Sequence, residues 1–171
     1  MSAIIISAYP ACGKTTYFNK HSKYAKGKGT RKILDSDSSK FSWVYDEDGN
    51  KTDERDPNFP NNYIEHIKEN LDKQEIIFIS THDAVREALE KENIPYVVIY
   101  PSHDMKSIFL KRMKERGNDE KFIKDQDKHW SKRISALDKS KYPKKFKLTR
   151  NHQYIDDDLI KQVKIVLERG W

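Results

Sequence analysis

The sequence predicts an α/β fold in three layers, with a five-stranded, mainly parallel sheet between helices. Short apolar runs alternate with stretches of helical spacing along most of the chain. The runs are continuous and rich in β-branched residues, as strands buried on both faces are. Repetition of strand, helix and strand calls for right-handed crossovers, which cover both faces of a parallel sheet with helices.

The elements follow in order. Ala3–Ser7 (AIIIS) is a buried strand, and Gly13–Lys20 opens a helix directly behind it. Arg31–Asp35 (RKILD), Glu75–Ser80 (EIIFIS) and Pro95–Tyr100 (PYVVIY) are the next strands, and Phe146–Thr149 is a weaker fifth. His82–Asn93 is helical on the spacing of Val85, Ala88 and Leu89. Ser102–Arg116 is amphipathic, with Met105, Ile108, Phe109, Arg112 and Met113 recurring at steps of three and four. Asp119–Lys139 reads as mostly helical. Asp156–Arg169 closes the chain with three acids in its first turn, where the helix dipole favours them. The segment 41–71 breaks the rhythm. Its first half is polar and rich in turn residues, with a tight turn at Asp48-Gly49, and it is too long for a plain connection.

The chain has 171 residues, the size of one domain, with 36% apolar and 35% charged residues. No run reaches the roughly 18 apolar residues of a membrane helix, and MSAIIISAYP lacks the basic start of a secretory signal. The single cysteine, Cys12, has no partner for an internal disulfide. A cytoplasmic protein is expected. The net charge is +6, and it is unevenly spread: residues 104–147 hold 15 Lys/Arg against 7 Asp/Glu. Such a segment favours polyanions, although a solvated basic helix face explains most of its lysines.

Residues 8–15 read AYPACGKT, the Walker A pattern with Ala8 at the first glycine position. A tight loop between strand and helix turns backbone N–H groups inward as an anion nest, here from Ala11, Cys12 and Gly13. Gly13 lets the backbone approach a phosphate without a Cβ in the way. The helix start adds its positive end. Lys14 is a point charge for β- and γ-phosphates, Thr15 offers a hydroxyl to Mg²⁺, and Thr16 reaches an α-phosphate oxygen. Cys12 is read as a small filler.

On these residues the chain resembles the P-loop nucleoside and nucleotide kinase group. As a whole it is similar to small phage-encoded deoxynucleoside monophosphate kinase-like proteins, which implies the host cytoplasm. The resemblance implies one P-loop NTPase-type αβα domain over residues 1–171. Within it, 41–71 is the candidate acceptor-binding insertion and 104–140 a candidate basic lid built on a helix pair. The implied ligands are ATP and Mg²⁺, with a nucleotide as acceptor. A nucleic acid is the alternative acceptor, no membrane partner is expected, and oligomeric state is left open.

The resemblance also assigns roles. ILDSDSS, residues 33–39, carries an Asp-x-Asp, with Asp35 matching the metal side and Asp37 the acceptor side. Arg112 and Arg116, one turn apart, match lid arginines that neutralise the transferring phosphoryl, and Arg133 is a third candidate. Phe41, Trp43 and Tyr63 stand where an acceptor base would stack, and Arg55 where its phosphate would sit. Arg150 and Asn151 fall where the group seats adenine. One departure is plain: after EIIFIS come Thr81 and His82, so the Walker B acid is missing.

The expected activity is transfer of the ATP γ-phosphoryl group to a (deoxy)nucleoside monophosphate. A kinase of nucleic-acid ends or of a modified base acting on a hydroxyl is the nearest rival. A non-catalytic nucleotide-binding regulator is the reading from another class.

Overall fold

The computed structural model describes residues 2–170. The strand β1 (Ile4–Ala8) leads through a five-residue loop into α1 (Lys14–His21), and β2 (Ile33–Asp35) follows. The insertion is ordered. It contains a one-turn helix α2 (Ser39–Ser42), a hairpin of β3 (Trp43–Tyr45) and β4 (Lys51–Arg55), and α3 (Asn61–Asn70). Next come β5 (Ile76–Ile79), α4 (Asp83–Lys91) and β6 (Val97–Pro101). A short 3₁₀ turn leads into α5 (Lys106–Glu115) and α6 (Glu120–Lys139); then β7 (Lys144–Leu148) and α7 (Asp157–Glu168) close the fold.

All five long-range strands are parallel, in the order β2-β5-β1-β6-β7. The expectation of a mainly parallel sheet is sharpened accordingly. The antiparallel pair β3/β4 forms a separate two-stranded sheet. Alternation along the strands divides the core in two. Ile6, Ile76 and Phe78 join Tyr17 of α1, Phe109 and Met113 of α5, Trp130 and Ile134 of α6 and Leu159 of α7. Ile5, Ile77 and Ile79 join Tyr63 and Ile67 of α3 and Val85 and Leu89 of α4. Helices therefore cover both faces.

The helix boundaries follow local chemistry. Asp119 caps α6 by accepting the Phe122 amide, and Asp156 caps α7 through the Leu159 amide. Gly117, at φ +90°, ends the turn after α5. The segment 41–71 escapes the sequence pattern because its hairpin strands are short and largely exposed, so no apolar alternation marks them. The α5–α6 pair, the candidate lid region, packs onto the core through Phe109, Met113, Trp130, Ile134 and Leu137, all buried. No helix among the described residues is long and apolar enough to cross a membrane.

One topological feature positions the site. Strands β1 and β5 are neighbours, yet α1 packs on one face of the sheet and α4 on the other. Connections that part in this way leave a crevice at the carboxyl ends of the strands.

Candidate functional site

An open cleft of about 1140 Å³ occupies that crevice. The 8–15 loop forms its floor. Asp37–Ser39 and Ser80–Asp83 form one side, and Arg116, Phe122, Gln126 and Arg133 of the α5–α6 wall form the other.

The loop is shaped from within and from behind. Ala8 ends β1 inside the strand ladder, paired with Ile99, so its Cβ causes no conflict at the first glycine position. The positive φ falls instead on Ala11 (66°) and Gly13 (96°). At Ala11 this is a costly conformation for an L-residue. At Gly13 a Cβ would also lie 3.3 Å from Tyr154 Cβ. The Cys12 amide donates to Tyr9 O, and Cys12 O accepts from the Ile155 amide at 2.9 Å. Among the described residues, the amides of Ala11, Gly13, Lys14, Thr15 and Thr16 find no acceptor. Five unpartnered N–H groups at a loop and a helix start form a concentrated positive surface.

Asp35 stands beside this surface. Thr15 Oγ1 donates to its Oδ2 at 3.1 Å, and Lys14 Nζ lies 3.5 Å from its Oδ1. Oδ1 is buried without a hydrogen bond, so the lysine balances its charge without fully satisfying it. A hydroxyl and an under-satisfied carboxylate are hard oxygen donors of the kind Mg²⁺ takes together with phosphate oxygens and water. No cluster of three or more His, Cys, Asp or Glu suited to a metal occurs among the described residues.

The other expected residues divide. Asp37 is exposed in the cleft; its Oδ1 accepts the Ser39 amide at 2.9 Å, and its Oδ2 has no protein partner among the described residues. Arg116 is exposed at the cleft edge, tied through Nε to Asn118. Arg133 bonds Asp125 through Nη2 and leaves Nη1 buried and unpaired.

Arg112 has a different place from the expected lid arginine. It is 7% exposed, and its guanidinium donates to the carbonyls of Ala11, Asn151 and Gln153 at 3.3, 2.6 and 2.9 Å. The amphipathic stripe puts it inward, where it fastens the 8–15 loop to the segment after β7. Cys12 is fully buried, and burial pushes its thiol pKa up to about 12, as befits a filler.

The acceptor-side aromatics are less available than expected. Tyr63 is fully buried and donates to Ser36 O, so it belongs to the core and cannot stack a ligand. Phe41 packs between Tyr63 and His66. Trp43 carries Arg55 on its face at 3.7 Å and Lys51 at 4.2 Å. The backbone of Arg150 lies in a turn closed by Gln153, and its side chain is not among those lining the cleft.

Three cleft residues carried no signal in the sequence pattern. Tyr154 lies over Gly13 and stacks on Arg112 at 3.8 Å. Gln126 accepts from the Tyr9 hydroxyl at 2.8 Å, a contact across 117 positions. Arg86 is buried and tied to Asp83 and to Thr81 O. Ser80 stands at the end of β5, linked to Ser38 by a 2.9 Å hydroxyl pair, and Asp83 behind it is committed to Arg86.

No protein-family model matches the chain, and a search of curated proteins finds no significant match.

Proposed function

We propose that the protein is an ATP-dependent phosphotransferase of the P-loop kinase type. The observation that carries this reading is the set of five unpartnered amides around Lys14, facing a cleft whose far side holds the free carboxylate oxygen of Asp37. Phosphoryl transfer asks a protein mainly for positioning and charge, and these groups supply both.

In this reading the loop amides and Lys14 hold the triphosphate. Thr15 and Asp35 would hold Mg²⁺, which would supply positive charge against the phosphates. Asp37 aligns the attacking oxygen of the acceptor. Arg116 and Arg133 face the opening cleft and neutralise charge as the phosphoryl moves. Arg112 keeps the loop in shape and touches no reacting atom.

The nucleic-acid reading rests on the basic segment: Lys106, Arg133 and Lys147 pair with Asp127, Asp125 and Asp138 of the same segment, and its excess of Lys/Arg remains. The regulator reading rests on Ser80 in place of a Walker B acid. The test is transfer of label from γ-labelled ATP to nucleosides, nucleotides and 5′-hydroxyl DNA. ATP bound with no label moved to any acceptor sinks the kinase reading. A steep fall of oligonucleotide affinity with salt supports the nucleic-acid one.

A further inference from the structure

The two ends of the cleft differ in charge, and the difference bears on the acceptor. On the donor end stand Arg116, Lys14 beside Asp35, and Arg133 with Nη2 on Asp125 and Nη1 unpaired, together with the unpartnered amides. The acceptor end, between the ends of β2 and β5, has no such supply. Its one buried cation, Arg86, is bonded to the Asp83 carboxylate and to Thr81 O. His82 beside it is held neutral, because desolvation lowers its pKa. What remains open is the Asp37 carboxylate and a set of hydroxyls: Ser38, Ser39, Ser80 and Thr81. Ser38 and Ser80 share a single hydrogen bond, so one of their two protons is free to donate elsewhere.

The surrounding chain points the same way. Residues 36–60 hold seven Asp/Glu against three Lys/Arg. Arg55, whose charge acts on His82, holds its guanidinium 3.7 Å from the centre of the Trp43 ring. A phosphate dianion is bound by several charge-assisted donors converging on it. Here it would meet the Asp37 carboxylate and uncharged hydroxyls.

We infer that the acceptor is a hydroxyl group on a neutral or cationic compound that carries no phosphate, rather than a nucleoside monophosphate. The inference rests on the phosphotransferase reading and narrows it. The acceptor oxygen attacks the γ-phosphorus, and its bond to phosphorus forms as the bond to the β,γ-bridging oxygen breaks. The hydroxyl proton passes to the free oxygen of Asp37, ADP leaves, and Asp37 returns the proton to solvent. A monophosphate acceptor, already ionised, needs no such base.

The test uses the full chain with γ-labelled ATP and Mg²⁺. Each nucleoside is paired with its own 5′-monophosphate, and neutral and amino-substituted alcohols complete the panel. Basal ATP hydrolysis, in which water is the smallest hydroxyl acceptor, is compared between wild type and Asp37→Asn. The variant keeps the acceptor for the Ser39 amide, and its melting temperature checks that it folds. Support is a preference of about tenfold or more in kcat/KM for unphosphorylated acceptors. With it goes a loss of about a hundredfold or more in hydrolysis in D37N. Preference for the monophosphates, with D37N within about tenfold of wild type, overturns the inference and leaves the phosphotransferase reading standing. ATP bound, no label transferred and hydrolysis unaffected by D37N overturns both.

Discussion

Gly13 combines two demands in one residue. Its φ of 96° is unfavourable for any side chain, and a Cβ would press on Tyr154 at 3.3 Å. Gly13→Ala therefore costs about 2 kcal/mol, lowering Tm by roughly 4–8 °C in thermal denaturation. Cys12 is the opposite case, a reactive group kept silent. With its pKa raised to about 12, it resists a thiol reagent at pH 8 in the native protein and reacts once the chain is unfolded. Titration adds a third effect. Burial lowers the pKa of His66 and of His82, so the folded protein binds these protons less well than the unfolded chain does. Stability is then complete above about pH 6.5 and is lost as pH falls through the lowered values. Tm should drop between pH 7 and pH 5, and His66→Gln should shrink that drop.

Among elements, the α5–α6 wall is the most instructive. Its residue spacing made Arg112 equally compatible with a lid and with a core-facing stripe, and the fold places it in the stripe. Arg112→Ala removes the donors to three carbonyls and the stack on Tyr154, and costs about 3 kcal/mol in urea unfolding. Arg112→Lys rescues little, because a point charge cannot span the three acceptors. The four strong strands and the closing helices were legible in the sequence because each buries a continuous apolar run or stripe. The hairpin was not, because Asp46–Asp56 exposes both of its faces. Within the site, the loop and Asp35 were legible from local spacing. Tyr154, Gln126 and Arg86 were not, because their places depend on which strands become neighbours. Tyr63 was misread for the same reason: an aromatic in a polar segment gives no sign that α3 turns it inward.

For the molecule as a whole, ligand linkage is the broadest check. If the 8–15 loop holds a triphosphate, MgATP at about 100 times its Kd adds roughly 2.7 kcal/mol, or some 5–10 °C in Tm. Lys14→Ala should abolish that shift and also lower the unliganded Tm, because Asp35 loses the charge that balances it. The bonds from Ile155 to Cys12 O, and from Arg112 to Ala11 O and Gln153 O, have a further consequence. They join the 8–15 loop to the segment after β7. During synthesis the GKT segment leaves the ribosome some 140 positions ahead of the groups that set its backbone. If the loop holds a nucleotide, nascent chains arrested before Tyr154 would carry the whole motif and still fail to retain it, so competence waits on residues far down the chain.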